Sequence, residues 1–203
     1  MGSIESVLGR VKDIWRGRVH RWGSSGMKQS IWDKEHATGK WNCCENTPGD
    51  PIYGYIEKYC HGGGLLDLGC GSGNTGNEIA VDTYSYYTGI DVSSVALEKA
   101  ALRSRQNGRG NLNKYFQSEI AAYVPNRKYD VILFRESIYY LPRLKITSTL
   151  ERYKASLSPK GVFIVTVYNR ETFDWIVQLI EQHYTLIEKH APASSPEAFL
   201  IFR

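Results

Sequence analysis

Residues 65–73 read Leu-Leu-Asp-Leu-Gly-Cys-Gly-Ser-Gly, an apolar run that contains one acid and passes into three alternating glycines. Glycines at this spacing let the backbone turn sharply from a strand into a helix and approach a ligand closely, because they have no side chain. Asp91 closes a second apolar run, where it can hydrogen-bond a ribose diol. Together these features predict a pocket for a cofactor that contains a nucleoside.

Two cofactor motifs overlap in this loop. Gly71, Gly73 and Gly76 fit the dinucleotide fingerprint, with Asp91 about 20 residues further on. Read from Asp67, the same stretch is Asp-x-Gly-x-Gly-x-Gly, which resembles motif I of the class I S-adenosylmethionine-dependent methyltransferases. An acid inside an apolar strand is costly unless it has partners, and a dinucleotide fold normally has an aliphatic residue there. Asp67 therefore favours the methyltransferase resemblance, and an NAD(P)-binding oxidoreductase is kept as an alternative.

The resemblance implies a role for several residues around the glycine loop. Asp67 is expected to order the loop and the methionine end of the cofactor, and Asp91 to bind the ribose. Val92 is expected to lie against the adenine, Glu119 to accept a hydrogen bond from its exocyclic amine, and the Ile120 amide to meet a ring nitrogen. A solvated acid at a helix start is the alternative for Glu119. The cofactor-binding residues implied in this way are Asp67, Gly69, Cys70, Gly71, Gly73, Asp91, Val92, Glu119, Ile120 and Arg135.

Strands and helices alternate along the chain as a doubly wound parallel sheet requires. A helix is predicted from Pro142 to about Leu157, a turn at 158–161, and a second helix capped by Asn169. The last two strands are joined by a loop too short for a crossover helix, so they must pair antiparallel. We therefore expect a Rossmann-like α/β fold with a mostly parallel seven-stranded sheet and a C-terminal antiparallel hairpin, as in the methyltransferase family. After the first strand, the predicted strands are 86–92, 114–120, 129–136, 161–168, 184–188 and 198–202.

With 203 residues, the chain can bury one core but has little length for a second catalytic domain. We expect a methyltransferase core at 51–203 and a helical or loop lid at 1–50. Residues 32–36 with Trp41 resemble the segment that covers the site in thiopurine- and tellurite-type methyltransferases, although they fit apolar surface anchors equally. The net charge of +4 is low for a dedicated nucleic-acid binder, so the basic side chains of the lid fit a solvated face: Arg10, Lys12, Arg16, Arg18, Arg21 and Lys28.

The acceptor side of the site carries no diagnostic constellation. Residues 136–141, Glu-Ser-Ile-Tyr-Tyr-Leu, resemble the segment after the fourth strand in small-molecule methyltransferases, including the nodulation-factor N-methyltransferases. They differ from the Asn/Asp-Pro-Pro-Tyr motif of enzymes that methylate amide or exocyclic base nitrogens. We expect at least one of the two tyrosines to be a core aromatic and His36 to lie on the surface. The candidate catalytic residues are Glu136, Tyr139, Tyr140 and His36, with Ser137, Tyr168, Asn169 and His20 as further candidates.

Cysteine spacing and hydropathy limit the classes of protein to which this chain can belong. The four cysteines show neither disulfide nor zinc spacing, which favours reduced thiols in a cytoplasmic protein. No metal site, membrane span or secretory signal is predicted. We expect an S-adenosylmethionine-dependent methyltransferase that releases S-adenosylhomocysteine and methylates oxygen or nitrogen of a small organic molecule, as a monomer or homodimer. A protein of the same fold that binds the cofactor without methylating is a second alternative.

Overall fold

The computed structural model describes residues 23–203, in which seven strands form one sheet. The strands are β1 (Gly64–Leu68), β2 (Tyr86–Asp91), β3 (Asn113–Gln117), β4 (Tyr129–Arg135), β5 (Leu157–Val167), β6 (Leu186–His190) and β7 (Ala198–Phe202). The α-helices are α1 (Ser25–Ala37), α2 (Pro51–Cys60), α3 (Asn74–Glu78), α4 (Ser94–Gln106), α5 (Ile146–Lys154) and α6 (Asp174–His183). Outside the described residues lie His20 and the basic side chains Arg10, Lys12, Arg16, Arg18 and Arg21.

The strands follow the order β3-β2-β1-β4-β5-β7-β6. β1 to β5 pair in parallel, whereas β7 pairs antiparallel with both β5 and β6. In open α/β sheets, ligands bind beyond the carboxyl ends of the strands where the strand order reverses, which here is between β1 and β4. The antiparallel β7 between β5 and β6 separates this sheet from the dinucleotide-binding order 3-2-1-4-5-6. The predicted fold class, including the C-terminal hairpin, is confirmed.

Apolar side chains cover both faces of this sheet. Residues 131–134 of β4 are fully buried, as expected for a parallel strand with helices on both sides. On one face α2 contributes Ile52 and Ile56, and on the other α6 contributes Ile176 and Ile180. No helix within residues 23–203 combines the length and the apolar character needed to cross a membrane.

Side-chain caps set the helix starts nearest the carboxyl edge of the sheet. The Asp50 carboxylate accepts a hydrogen bond from the Ile52 amide at 3.0 Å, so α2 begins at Pro51. The Ser93 hydroxyl accepts from the Ala96 amide at 3.1 Å, which places the start of α4 at Ser94. Both caps hold a helix N-terminus at the edge where the strands end.

Several predicted boundaries are wrong. A short 3-10 turn at Arg143–Lys145 follows Pro142, and α5 ends at Lys154 because Leu157 already pairs with β4. The turn expected at 158–161 lies inside β5, where the register with β4 shifts.

Smaller differences concern the ends of neighbouring elements. β3 ends at Gln117, three residues earlier than predicted, so Glu119 and Ile120 follow the strand. The Asn169 side chain accepts from the Thr172 amide at 2.9 Å and caps a turn that precedes α6, not α6 itself. β6 runs over Leu186–His190 instead of 184–188.

Close packing of α3 on β2 generates a stability prediction. A Cβ atom on Gly76 would lie 2.8 Å from the ring of Tyr87, which is fully buried. We expect Gly76→Ala to lower the free energy of unfolding by ~1–3 kcal/mol, because the core has no room for the methyl group. Gly54 in α2 is the matched control: nothing lies within 4 Å of its Cβ position. Gly54→Ala should stabilise by ~0.5–1 kcal/mol in the same urea denaturation experiment. Equal stabilities of the two variants would contradict this packing.

Candidate active site

A cavity of about 650 Å³ opens at the carboxyl edge of the sheet. Of the residues that the sequence analysis assigned to the cofactor or to catalysis, all of the described ones line it except Gly73 and Asn169. Further lining residues come from α1, from the segment after it, from the end of β5 and from around the start of β7, and include Lys28, Trp32, Trp41, Thr166, Glu197 and Phe199. The elements of the sheet and the segment before α2 therefore meet around one chamber.

The three alternating glycines have different roles in the loop after β1. All three have positive φ angles, +85° at Gly69, +52° at Gly71 and +77° at Gly73, which a residue with a side chain rarely adopts. A Cβ on Gly69 or Gly73 would lie 2.7 Å from the Cβ of Ser137 or Ala100, respectively. A Cβ on Gly71 would meet only the His36 ring, at 3.9 Å. Gly71 is thus the glycine that leaves space for a ligand, and Gly73 supports the loop from behind.

The Asp91 carboxylate is held by the backbone. Its Oδ2 atom accepts from the Gly71 amide at 3.0 Å, and its Oδ1 atom accepts from the Ser93 amide at 2.9 Å. Burial raises the pKa of Asp91, and these amide hydrogen bonds oppose the rise. An ionised carboxylate offers about four lone-pair sites, so Asp91 can accept two further hydrogen bonds from a ligand.

The Asp67 carboxylate is buried within β1, with only 1% of the residue exposed. The Tyr87 hydroxyl donates to its Oδ2 atom at 2.8 Å, whereas its Oδ1 atom has no partner within residues 23–203. Burial raises the pKa of Asp67 to about 6, although the bond from Tyr87 and the nearby Arg135 charge oppose the rise. A buried carboxylate oxygen without a donor is costly. Asp67 is a lining residue of the cavity, so a bound ligand can supply the missing donor.

Arg135 lies at the end of β4 with its charge already matched. It forms an ion pair with Asp50, and its guanidinium donates to the Thr47 hydroxyl at 3.1 Å and to the Tyr53 hydroxyl at 3.2 Å. These contacts join β4 to the start of α2. Arg135 therefore holds this wall of the cavity in place while it faces the chamber.

Glu119 and Ile120 follow β3 and meet α1. Glu119 pairs with Lys28 at 2.6 Å and accepts a hydrogen bond from Ser25, both residues of α1. Burial alone would raise the pKa of Glu119, but these contacts hold it below its ordinary value. Glu119 is therefore a partly buried, paired acid and not the solvated acid of the alternative reading. The Ile120 amide donates no hydrogen bond to any residue of the 23–203 range, so it is available to a ligand.

His36 is buried, and the prediction that it lies on the surface is wrong. Only 5% of the residue is exposed, because α1 packs its inner face against the glycine loop. The ring centroid lies 6.3 Å from that of Trp32 and 6.5 Å from that of Trp41. Burial lowers the pKa of His36, so the ring is neutral near pH 7. Its Nδ1 atom has no partner in the described part of the chain.

Glu136 follows β4 and lines the cavity. Its backbone is strained, with φ at +54°. The Thr166 hydroxyl donates to its Oε1 atom at 2.7 Å. The Tyr139 hydroxyl and the Tyr168 amide donate to its Oε2 atom at 3.1 and 2.8 Å. Burial raises the pKa of Glu136 in spite of these donors. The carboxylate is thus fixed in one orientation toward the chamber.

The two tyrosines after β4 differ in their surroundings. Tyr139 is 9% exposed and stacks on Phe173 with ring centroids 4.3 Å apart, so it is the expected core aromatic. Tyr140 is partly exposed and meets the edge of Trp32 at 5.1 Å. Tyr139 contributes to the site mainly through its hydrogen bond to Glu136. Tyr140 forms the part of the cavity wall that lies between the sheet and α1.

Sequence reasoning missed Glu197 and Thr166. Glu197 immediately precedes β7, and Ala198 pairs with Val167 at the end of β5. Because β7 runs antiparallel, its first residues lie at the carboxyl edge of the sheet. The hairpin itself was predicted, so its topology could have identified Glu197. No sequence signal distinguishes Thr166 from the other residues of its strand.

The buried Asp67 carboxylate generates a pH-dependent stability prediction. Its pKa is about 6 in the folded chain and about 3.9 when unfolded. Its ionisation therefore destabilises the fold above about pH 6, and this cost vanishes below about pH 4, where both states are protonated. We expect Asp67→Asn to raise the free energy of unfolding by up to about 3 kcal/mol near pH 8 and to change it little near pH 4.

Urea denaturation at both pH values measures this difference. Asp82→Asn is the control, because Asp82 is exposed and outside the cavity. An equal effect of Asp67→Asn at the two pH values, or destabilisation near pH 8, would contradict the account.

Comparison with known proteins places the fold in a family context. A family model described as a methyltransferase domain matches residues 66–163. The ubiquinone biosynthesis O-methyltransferase of Actinobacillus pleuropneumoniae serotype 5b (strain L20) is 30% identical over 141 residues, covering 65% of this chain and 58% of that protein. The sterol 24-C-methyltransferase of Gibberella zeae is 27% identical over 146 residues, covering 66% of this chain and 36% of that protein. The chain thus spans less than three fifths of the length of these relatives.

Among solved structures, the N-methyltransferase NodS from Bradyrhizobium japonicum WM9, in complex with S-adenosyl-L-homocysteine, superimposes with a TM-score of 0.67. The sequences are 16% identical, and the match covers 86% of this chain and 97% of that one. At this identity the likeness shows the fold. The names of these relatives specify oxygen, carbon and nitrogen methylation, so they leave the acceptor open. The family match, the relatives and the strand order together support a methyltransferase fold of the class I S-adenosylmethionine-dependent type for this chain.

Proposed function

We propose that this chain transfers a methyl group from S-adenosylmethionine to an oxygen or nitrogen atom of a small organic molecule and releases S-adenosylhomocysteine. The observation that carries the proposal is the convergence of Asp67, Gly71 and Asp91 on one cavity, with the Asp67 Oδ1 atom buried and without a partner in residues 23–203. The volume of about 650 Å³ falls within the range of about 300–1,000 Å³ that small-molecule sites occupy. The similarity to methyltransferases supports the same cofactor.

The residues of the cavity fit the chemistry of this cofactor. Asp91 has acceptor capacity for the two ribose hydroxyls, and the unpartnered oxygen of Asp67 suits the amino group at the methionine end. The Ile120 amide is available to an adenine nitrogen. Glu119 retains lone pairs for the exocyclic amine beside its contacts with α1. Val92 lines the chamber next to Asp91, where an adenine face would lie.

When bound, S-adenosylmethionine supplies an electrophilic methyl carbon attached to a sulfonium sulfur. The work of the chain is then to align the acceptor, exclude water and, where needed, accept a proton. Alignment alone can lower the barrier by ~7–11 kcal/mol. His36, neutral and with an unpartnered nitrogen, and Glu136 are the groups able to accept a proton from a hydroxyl, which is worth ~10²–10⁴-fold in rate. An amine that enters as its free base needs no such step.

The proposal includes a lid formed by residues 1–50 on a core formed by 51–203. The Asp33 carboxylate of α1 accepts from the Ser93 hydroxyl at 2.7 Å and from the Val95 amide at 3.2 Å, which ties α1 to the start of α4. Trp32 and His36 on the same helix line the cavity. Release of α1 would therefore open the chamber beside Asp91. We place the protein in the reducing cytoplasm, where the buried thiols of the core remain reduced.

Calorimetric titration with S-adenosylhomocysteine and, separately, with NADH tests the cofactor. We expect micromolar binding of the former alone, and Asp91→Ala should weaken it by the ~1.5–3 kcal/mol of hydrogen bonds to a charged group. A thermal unfolding curve of the variant controls for the loss of the Gly71 and Ser93 contacts. Binding of NADH alone would make Gly71, Gly73 and Gly76 a dinucleotide site and overturn the proposal. Tight cofactor binding without methylated product across a broad acceptor panel would identify a non-methylating protein.

The lid is tested by loosening α1 without altering the chamber. Asp33 does not line the cavity, so Asp33→Ala should leave the cofactor contacts intact and accelerate dissociation of S-adenosylhomocysteine about tenfold. Stopped-flow fluorescence of the cavity tryptophans measures this rate. Asp174→Ala, which removes an acid from the first turn of α6 away from the cavity, is the control. Equal dissociation rates for the two variants would argue against a lid at α1.

A further inference from the structure

The charges that line the cavity do not balance. Among residues 23–203, two lysine or arginine side chains line it, Lys28 and Arg135, and each is paired with an acid, Glu119 and Asp50 respectively. Neither of these two cations is therefore available to attract an anionic acceptor. Within the described residues, acids exceed bases in the lining, which favours a ligand that carries positive charge.

Four acids of the lining have no ion pair with a described lysine or arginine: Asp67, Asp91, Glu136 and Glu197. Under the proposed function, Asp67 and Asp91 face the cofactor. Glu136 and Glu197 remain for the acceptor. Glu197 is exposed at the mouth of the cavity, whereas Glu136 lies deeper. Burial raises the pKa of Glu136, and the nearby charge of Glu197 acts in the same direction.

Aromatic residues line the same cavity as these two acids. Tyr168 and Phe199 line the cavity at the end of β5 and the start of β7, and Tyr139 lies 6.0 Å from Tyr168. Ring faces attract cations and are otherwise suited to apolar groups, so acids among aromatic rings form a surface for an ammonium group. Three donors already bind Glu136, and an ionised carboxylate has about four lone-pair sites. One site is thus left for a ligand N–H.

We propose that the chamber wall formed by Glu136, Glu197, Tyr139, Tyr168 and Phe199 binds an amine, and that the amine nitrogen is the methyl acceptor. This inference rests on the proposed function and selects nitrogen from its two acceptor atoms. A carboxylate or phenolate acceptor would face two like charges, and no lysine or arginine of the described lining is free to offset them. A neutral alcohol would donate one hydrogen bond to Glu136 but would gain no charge attraction from either acid.

The transfer step balances with groups already named. The bound ammonium first gives one proton to Glu136, which passes it to water. The freed lone pair of the nitrogen then forms a bond to the methyl carbon as the carbon–sulfur bond breaks and the sulfur keeps the electron pair. The product leaves as an N-methylated ammonium together with neutral S-adenosylhomocysteine. The net yield is one methylated ammonium and one proton, and no oxidant or further reactant is consumed.

Binding of a matched set of probes to the protein saturated with S-adenosylhomocysteine tests the inference. The probes are 2-phenylethylamine, 2-phenylethanol and 3-phenylpropionate, which share an aromatic frame and differ in the terminal group. We expect the amine to bind about tenfold or more tightly than the other two in a calorimetric or NMR titration. Glu136→Gln and Glu197→Gln should each remove most of this preference. Glu57→Gln, which removes an exposed acid of α2 outside the cavity, should leave it unchanged.

The outcomes separate this inference from the proposed function. If S-adenosylhomocysteine binds but the amine shows no preference, including the case in which no probe binds, the inference is wrong and the cofactor assignment stands. An unchanged preference in both glutamine variants overturns it as well. If S-adenosylhomocysteine itself does not bind, the proposed function fails. Glu197 is exposed, so Glu197→Gln keeps the test informative even if the Glu136 variant does not fold.

Discussion

The buried Asp67 carboxylate is the constraint on which the rest of the site depends. One of its oxygens accepts a hydrogen bond from Tyr87, and the other is buried and has no partner among the described residues. The Tyr87 ring also occupies the space that a side chain at position 76 would need. Because residue 76 is glycine, α3 can pack closely on β2, and this packing fixes the path of the glycine loop that precedes α3. The ionised carboxylate weakens the fold near neutral pH. The same group supplies a desolvated acceptor for a ligand, a trade of stability for binding that is common at functional sites.

The cavity divides into two halves with different electrostatic character. On the side of α1 and β2, Asp91 accepts hydrogen bonds from backbone amides and Glu119 pairs with Lys28. Both carboxylates keep lone pairs for further hydrogen bonds, which suits a polar nucleoside. On the side of β5 and β7, Glu136 and Glu197 stand among aromatic rings without a partner cation in the described residues. The C-terminal antiparallel hairpin thus contributes Glu197 and Phe199 to this second half of the cavity.

Features that depend on short, local sequence patterns could be predicted from the sequence. The glycine loop, the strand that ends in Asp91 and the C-terminal hairpin each follow from local patterns of glycine, apolar residues and loop length. The burial of His36 could not be predicted, because α1 buries Glu35 and His36 and presents no apolar face to the core. The pairing of Glu119 with Lys28 joins residues that lie 91 positions apart, and only the folded chain brings them together. The start of β5 at Leu157 was not predicted, because Pro159 and Gly161 are typical turn residues and indicated a turn at this position.

The central claim is that the unpartnered oxygen of Asp67 receives the amino group of the cofactor. The most direct measurement is a ¹³C NMR titration of the Asp67 carboxyl carbon with pH, in the free protein and in the complex with S-adenosylhomocysteine. The account predicts a pKa of about 6 for Asp67 in the free protein. It predicts a marked fall in the complex, because a bound ammonium group favours the ionised carboxylate. A pKa of Asp67 that is the same in both states would contradict it.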